Sequence, residues 1–287
     1  SKGEVCSFLQ SSANYWLKEF HFDGIRMDAI SRAIYWQGDP NRGVNSPAIR
    51  FIKRMNRGLK ELHPTAMLIA EDSTAYPLVT TSVEDGGLGF DYKWDLGWMN
   101  DTLSYFSKSP EERPADYYKL TFSMHYFYNE QFLLPLSHDE VVHGKGKKKK
   151  KMWGGYEDKF RQLRALYLYM YTHPGKKLNF MGNEIAHFRE WDETREQDWN
   201  LLEFPIHDAF HRYMKKLSEL YCSIRSLYEA PYDRNAFRWL VSNDQRQCVY
   251  IYERGTGKER IVAAFNFSNT YYKNYSFSTS LPMKLTE

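Results

Sequence analysis

The chain has 287 residues and a formal net charge of +3, with 42% hydrophobic and 17% aromatic residues. Near-neutral charge argues against a basic nucleic-acid-binding face, and no apolar stretch is long enough to span a membrane. Cys6, Cys222 and Cys248 are odd in number and widely spaced, with neither metal-ligand spacing nor a disulfide framework, which favours a reducing, cytoplasmic setting.

No signal peptide precedes Ser1, and the opening residues enter a helical pattern at once, so the chain reads as part of something longer. Ser7 to Phe20 is expected to be a helix, with Phe8, Tyr15 and Leu17 among its apolar positions. Phe22 to Asp28 reads as a short buried strand ending in polar residues. From Pro47 to His63 the apolar residues Ile49, Ile52, Met55, Leu59 and Leu62 recur at three- and four-residue steps, the period of a helix. Pro47 suits the first turn and His63-Pro64 stops it. Met67 to Ala70 is a second strand, followed by Glu71 and Asp72.

Gly86-Gly87-Leu88-Gly89 turns into a third strand at Phe90 to Lys93, and a helix follows at Leu96 to Phe106. Ala115 to Tyr128 looks helical. Gln131 to Ser137 is a fourth strand, ending in His138-Asp139-Glu140. Lys145 to Lys151 reads as a solvated basic loop. A helix at Glu157 to Tyr171, a strand at Lys177 to Met181 and a helix at Phe210 to Tyr228 complete the alternation. Past Ala230 four short strands are expected, at Phe237–Leu240, Gln247–Tyr252, Ile261–Phe267 and Tyr271–Phe277. Strands alternating with crossover helices imply parallel pairing. The expected fold class is α/β: residues 1–229 as about the last five βα units of a (β/α)8 barrel, then 230–287 as an incomplete antiparallel β-sandwich domain.

Charged residues gather where the strands end, and in a parallel barrel those ends carry the chemistry. Arg26 precedes Asp28 by two residues, so alternation puts both on one side, where the guanidinium favours an ionised carboxylate suited to nucleophilic attack. Glu71 follows apolar Ile69-Ala70, and desolvation there would keep a proton available for a leaving oxygen. His138 beside Asp139 is a donor suited to sugar hydroxyls. Two carboxyls about 5 Å apart across a glycosidic bond give retention through a covalent glycosyl-enzyme. The many aromatics beside Gly, Asp and Arg, as in Phe90-Asp91-Tyr92-Lys93-Trp94-Asp95, match the flat apolar faces and hydroxyl rims of sugars, although large α/β enzymes are often aromatic-rich.

Phe22-Asp23-Gly24-Ile25-Arg26-Met27-Asp28-Ala29 resembles the nucleophile strand of the α-amylase superfamily. Ile69-Ala70-Glu71-Asp72-Ser73 resembles its acid/base strand, and Leu136-Ser137-His138-Asp139 the strand of its third carboxylate. Gly86 to Trp94, Gly97-Trp98-Met99, His138 to Lys145, Thr172 to Lys177 and Arg189-Glu190-Trp191 are similar to glycogen branching enzymes. The resemblance covers almost the whole chain. It implies Asp28 as nucleophile, Glu71 as general acid/base and Asp139 as transition-state stabiliser. Arg26 would position Asp28, and His138, Trp94, Trp98 and Trp191 would contact glucan, with plain packing the alternative for the tryptophans.

The implied reaction is cleavage of an α-1,4 glucosidic bond and transfer to a glucose 6-OH, with glycogen or amylose as substrate and no metal or organic cofactor. A superfamily hydrolase is the alternative, disfavoured by the Gly87–Trp94 segment and the residues after Asp139. A non-catalytic glucan binder is a third reading, disfavoured by the intact acids. Five units do not close an eight-stranded barrel, so the missing N-terminal half of the barrel is an expected partner and the isolated segment is expected to be inactive. The lysine run departs from the family pattern.

Overall fold

The computed structural model describes residues 2–138, 152–187, 189, 191–257, 259–280 and 282; Asp139 and the lysine run at 145–151 lie outside the described residues. The first elements are α1 (Gly3–Glu19), β1 (Gly24–Met27), α2 (Ser31–Ile34), α3 (Ser46–Leu62), β2 (Met67–Ala70) and β3 (Tyr92–Trp94). Then come α4 (Leu96–Phe106), α5 (Lys119–Phe122), β4 (Phe132–Leu136), α6 (Tyr156–Thr172) and β5 (Lys176–Asn179). The chain continues through α7 (Pro205–Ser223), α8 (Arg225–Tyr228), β6 (Phe237–Asp244), β7 (Val249–Arg254) and β8 (Ile261–Asn266). Five parallel strands run in the order β1-β2-β3-β4-β5, a half-barrel, and β6-β7-β8 form a separate antiparallel sheet. Two compact units emerge, Ser1–Gly97 with Tyr126–Leu133, and Trp98–His125 with Leu134–Glu287.

In the first unit, Asn45 accepts the Ala48 N–H at 3.4 Å and Pro47 occupies the opening turn, so α3 starts with its free amides partly satisfied. Ile49, Ile52, Met55 and Leu59 are buried and join Leu68, Ala70, Leu88 and Phe90 in one core. Leu62, anticipated as part of that apolar face, is exposed in the last turn of the helix. In α1 only Cys6 and Leu17 are buried; Phe8 is 72% exposed and Tyr15 also faces outward. Tyr15, Trp16, Phe20 and Phe22 instead pack on one another, with Trp16 and Phe22 stacked at 5.8 Å.

The register of β1 on β2 pairs Gly24 with Met67, Ile25 with Leu68, Arg26 with Ile69 and Met27 with Ala70. Gly24 makes the close approach possible, because a Cβ there would stand 2.5 Å from the Met67 carbonyl oxygen and 2.8 Å from its Cβ. Gly24→Ala therefore lowers stability by about 1–3 kcal/mol, the cost of overpacking. A lower melting temperature is the expected reading; an unchanged one would mean that the two strands spread freely.

The second unit has an aromatic core. Tyr117 and Tyr250 stack at 4.2 Å, and Tyr105, Phe106, Phe265 and Phe267 pack around them. Within residues 115–128 the anticipated helix breaks into short turns. Tertiary bonds join the local ones there: Tyr117 Oη donates to the Val249 carbonyl at 2.7 Å, and Tyr250 Oη donates to the Tyr117 carbonyl at 3.0 Å. The anticipated strand at 271–277 is irregular chain. Tyr271 is exposed and Tyr275 donates its hydroxyl to Asp244 at 2.7 Å, and the segment pairs with none of the three strands of the sheet.

Candidate active site

The β1–β2 register carries on past the last paired residues. Glu71 N–H donates to the Met27 carbonyl at 3.0 Å, and Ile30 N–H donates to the Glu71 carbonyl at 3.0 Å. Asp28 and Glu71 are thus the next residues in register, at the carboxyl ends of two adjacent parallel strands. Neighbouring strands lie about 4.8 Å apart, and one Arg26 nitrogen reaches both carboxyl groups. The chain turns sharply after Asp28, with Ala29 in the left-handed region at φ 42°. A non-glycine residue there holds local strain. The turn aims the Ala29 N–H at Glu71 Oε2, 3.2 Å away.

Alternation along β1 puts Arg26 on the side of Asp28. One nitrogen, Nη1, donates to Asp28 Oδ1 at 2.8 Å and also to Glu71 Oε2. Asp28 itself is open, its side chain 76% exposed. Burial raises the Glu71 carboxyl above the ordinary carboxylate range, and the neighbouring Asp28 carboxyl adds to the rise; the Ala29 amide and the Arg26 charge oppose it. The direction and its leading cause are those anticipated from Ile69-Ala70.

The tryptophans take different places. Trp94 is 4% exposed, and the Arg26 guanidinium lies over its ring, 4.6 Å from the centroid. Its position is that of a support for Arg26, worth about 0.5–2 kcal/mol in such stacks, rather than a platform for sugar. Trp98 is 1% exposed and stacks on Tyr169 at 6.2 Å with His173 at 6.1 Å. It is a core residue, and the glucan contact anticipated for it has no surface to act through.

In the second unit His138 follows the carboxyl end of β4. Its Nδ1 lies 2.9 Å from Ser137 Oγ, and its ring packs with Phe180 at 5.7 Å and edge-on with Trp191 at 6.3 Å. Trp191 is 40% exposed. Two elements went unread in the sequence. Arg189 Nε donates to both oxygens of Asp198, at 3.0 and 2.9 Å, and closes the loop that carries Trp191. His187 Nε2 stands 2.8 Å from Asp198 Oδ2, off the line of a good hydrogen bond. Lys93 and Asp72 form a buried ion pair behind Glu71. Lysine is among the least buried residue types, so nothing local marks Lys93 as interior; the acid at the end of β2 was the one available hint.

Among the described residues no group of three or more His, Cys, Asp or Glu is arranged to hold a metal ion, and no helix is long and apolar enough to cross a membrane.

A half-barrel of five parallel strands followed by an antiparallel all-β domain is a fold of the α-amylase kind. An α-amylase from Geobacillus thermoleovorans complexed with acarbose superposes with a TM-score of 0.60 at 19% identity, covering 92% of this chain and 53% of that one. AmyP in complex with maltose gives 0.64 at 15% identity, covering 93% and 58%. The model of the α-amylase C-terminal all-β domain matches residues 239–287. More particularly, the chain is similar to the C-terminal part of 1,4-alpha-glucan branching enzyme GlgB. The proteins of that name from Bacillus cereus strain AH820 and Bacillus anthracis are each 44% identical to it over 276 residues. Those matches cover 96% of this chain and 43% of the relatives, so it spans less than half their length.

Proposed function

We propose that this chain carries the nucleophile and the acid/base of a retaining 1,4-α-glucan branching reaction. The observation that carries the reading is the shared rim position of Asp28 and Glu71, in register on adjacent strands and bridged by one Arg26 nitrogen. Retaining enzymes need carboxyls about 5–5.5 Å apart, against about 6.5–9.5 Å for inverting ones. Side chains that start from adjacent strands, about 4.8 Å apart, are compatible with the shorter spacing. Arg26 bridges the two carboxyls across the place a glucose ring would occupy.

The Asp28 carboxylate attacks the anomeric carbon of an α-1,4-linked glucose, and the carbon–oxygen bond to the leaving chain breaks as Glu71 delivers its proton to that oxygen. A glycosyl–Asp28 ester results. Glu71, now a carboxylate, takes the proton of an acceptor 6-OH; that oxygen attacks the anomeric carbon, forms the α-1,6 bond and releases Asp28. Arg26 steadies Asp28, and His138 and Trp191 offer a donor and an apolar wall to sugar hydroxyls and ring faces. Asp139, by the same reading, stabilises the oxocarbenium-like transition state. The division into barrel part and β domain near residue 230 belongs to this reading, as do an α-glucan substrate and a complementary N-terminal barrel half as partner. Free Cys6, Cys222 and Cys248 support a cytoplasmic setting.

The test is amylose incubated with the full-length protein. New α-1,6 linkages by proton NMR, with reducing ends constant, are the expected result. Reducing ends rising in step with chain loss would replace the reading with a hydrolase, and an unchanged polymer that is nonetheless bound would replace it with a binding protein.

A further inference from the structure

Behind Glu71, the side chains of Lys93 and Asp72 are 6% and 0% exposed. Lys93 Nζ donates to Asp72 Oδ2 at 2.9 Å and to the Thr74 carbonyl at 2.8 Å. Asp72 Oδ1 accepts the Thr74 N–H at 3.0 Å and the Thr74 hydroxyl at 2.9 Å. In the β2–β3 register Lys93 is opposite Ala70, so the pair crosses between the strands just beyond the last hydrogen-bonded residues. Alternation gives each strand two faces. Glu71 and Trp94 turn toward Arg26, whereas their neighbours Asp72 and Lys93 turn the other way and meet each other.

A buried ion pair is a poor source of stability, because desolvating two charges offsets most of their attraction and apolar residues of like volume often do as well. What such a pair supplies is a defined geometry. Glu71 is tied by its own main chain to β1, through Met27 and Ile30. Its next residue is tied to β3 by Lys93. The backbone carrying the carboxyl is therefore held from both sides.

We propose that the Lys93–Asp72 pair is a positioning device for Glu71, fixing the chain direction at the carboxyl that exchanges its proton with the glycosidic oxygen. The inference rests on the reading of Glu71 as acid/base. Lys93 and Asp72 touch no reacting atom; they act through the angle at which Glu71 meets the leaving oxygen. A misplacement of about 1 Å costs on the order of 10²-fold in rate.

The experiment compares two donors in the full-length protein, amylose and an α-maltotriosyl fluoride, whose fluoride leaves with little help from an acid. Lys93→Met and the neutral double variant K93M/D72N are measured against the native protein, with Glu71→Gln as reference. The double variant leaves no unpaired buried charge and carries the test if Lys93→Met alone does not fold. The expected result is a loss of about 10²-fold in kcat with amylose, little change in KM, and less than about tenfold loss in formation of the glycosyl-enzyme from the fluoride. Lys93→Arg, which keeps the charge, is expected to recover part of the amylose rate. Equal losses on both donors would reduce the pair to a structural role and overturn the proposal, as would an amylose rate within about threefold of native. If Glu71→Gln itself loses both donors equally, the reading of Glu71 fails, whatever the pair does.

Discussion

Asp28→Asn in the full-length protein abolishes glucan transfer, with a rate loss of about 10⁴- to 10⁶-fold, the scale seen when a covalent nucleophile is removed. An amide oxygen still accepts the Arg26 bond but does not form the glycosyl ester. The Asp28 side chain is largely open to solvent and Arg26 retains Glu71 as a partner, so the melting temperature changes little. The decisive measurement is covalent trapping. With Glu71→Gln and an α-maltotriosyl fluoride, the ester forms without acid help and persists, because no base activates the acceptor. Mass spectrometry then finds one glycosyl unit on the peptide containing Asp28, and none in D28N. A labelled peptide lacking Asp28, or transfer by D28N within tenfold of native, would remove Asp28 from the chemistry.

Glu71→Gln has a different signature. Loss of the acid/base lowers the amylose rate by about 10²- to 10⁴-fold and spares ester formation from the fluoride donor. It also removes the basic limb of the pH profile of kcat/KM. That limb marks loss of the Glu71 proton, and burial together with the neighbouring Asp28 carboxyl sets it above the ordinary carboxylate range.

The same shift has a consequence for stability. A carboxyl whose pKa is raised on folding binds its proton more tightly in the native state. Its contribution to stability is present below the unfolded carboxylate value and is lost as pH rises through the raised native value. At neutral pH the site therefore holds Glu71 at a cost, and Glu71→Gln is expected to melt higher than the native protein there. The advantage shrinks as pH falls into and below the ordinary carboxylate range. Melting curves of both proteins across that window check it; a constant difference at every pH would mean that Glu71 titrates alike folded and unfolded.

How far the sequence could be read differs from residue to residue. The strand at Met67–Ala70 and the helix at Leu96–Phe106 fall where their patterns place them, because a run of apolar residues between turn signals is a local property. The β domain was legible as a change of texture after Ala230, but not in its number of strands. Phe237 to Phe267 contributes strands that each find a paired neighbour, whereas Tyr271 to Phe277, equally aromatic, finds none. Pairing is a relation between segments distant in sequence, and strand propensity alone does not settle it.

What the amino-acid sequence determined by itself is the alternation of strands and helices through the barrel part and the place of Asp28 and Glu71 at strand ends, since periods of 2 and 3.6 residues and the turn residues between them are written within a few positions. The two-residue step from Arg26 to Asp28 belongs to the same class, and the 2.8 Å bond between them follows from it. The tertiary structure alone decided that Glu71 stands beside Asp28, that Lys93 is interior, and that Trp94 and Trp98 are buried while Trp191 is not. Strand register and burial depend on which surfaces meet, and two tryptophans four residues apart carry no local mark of what will cover them.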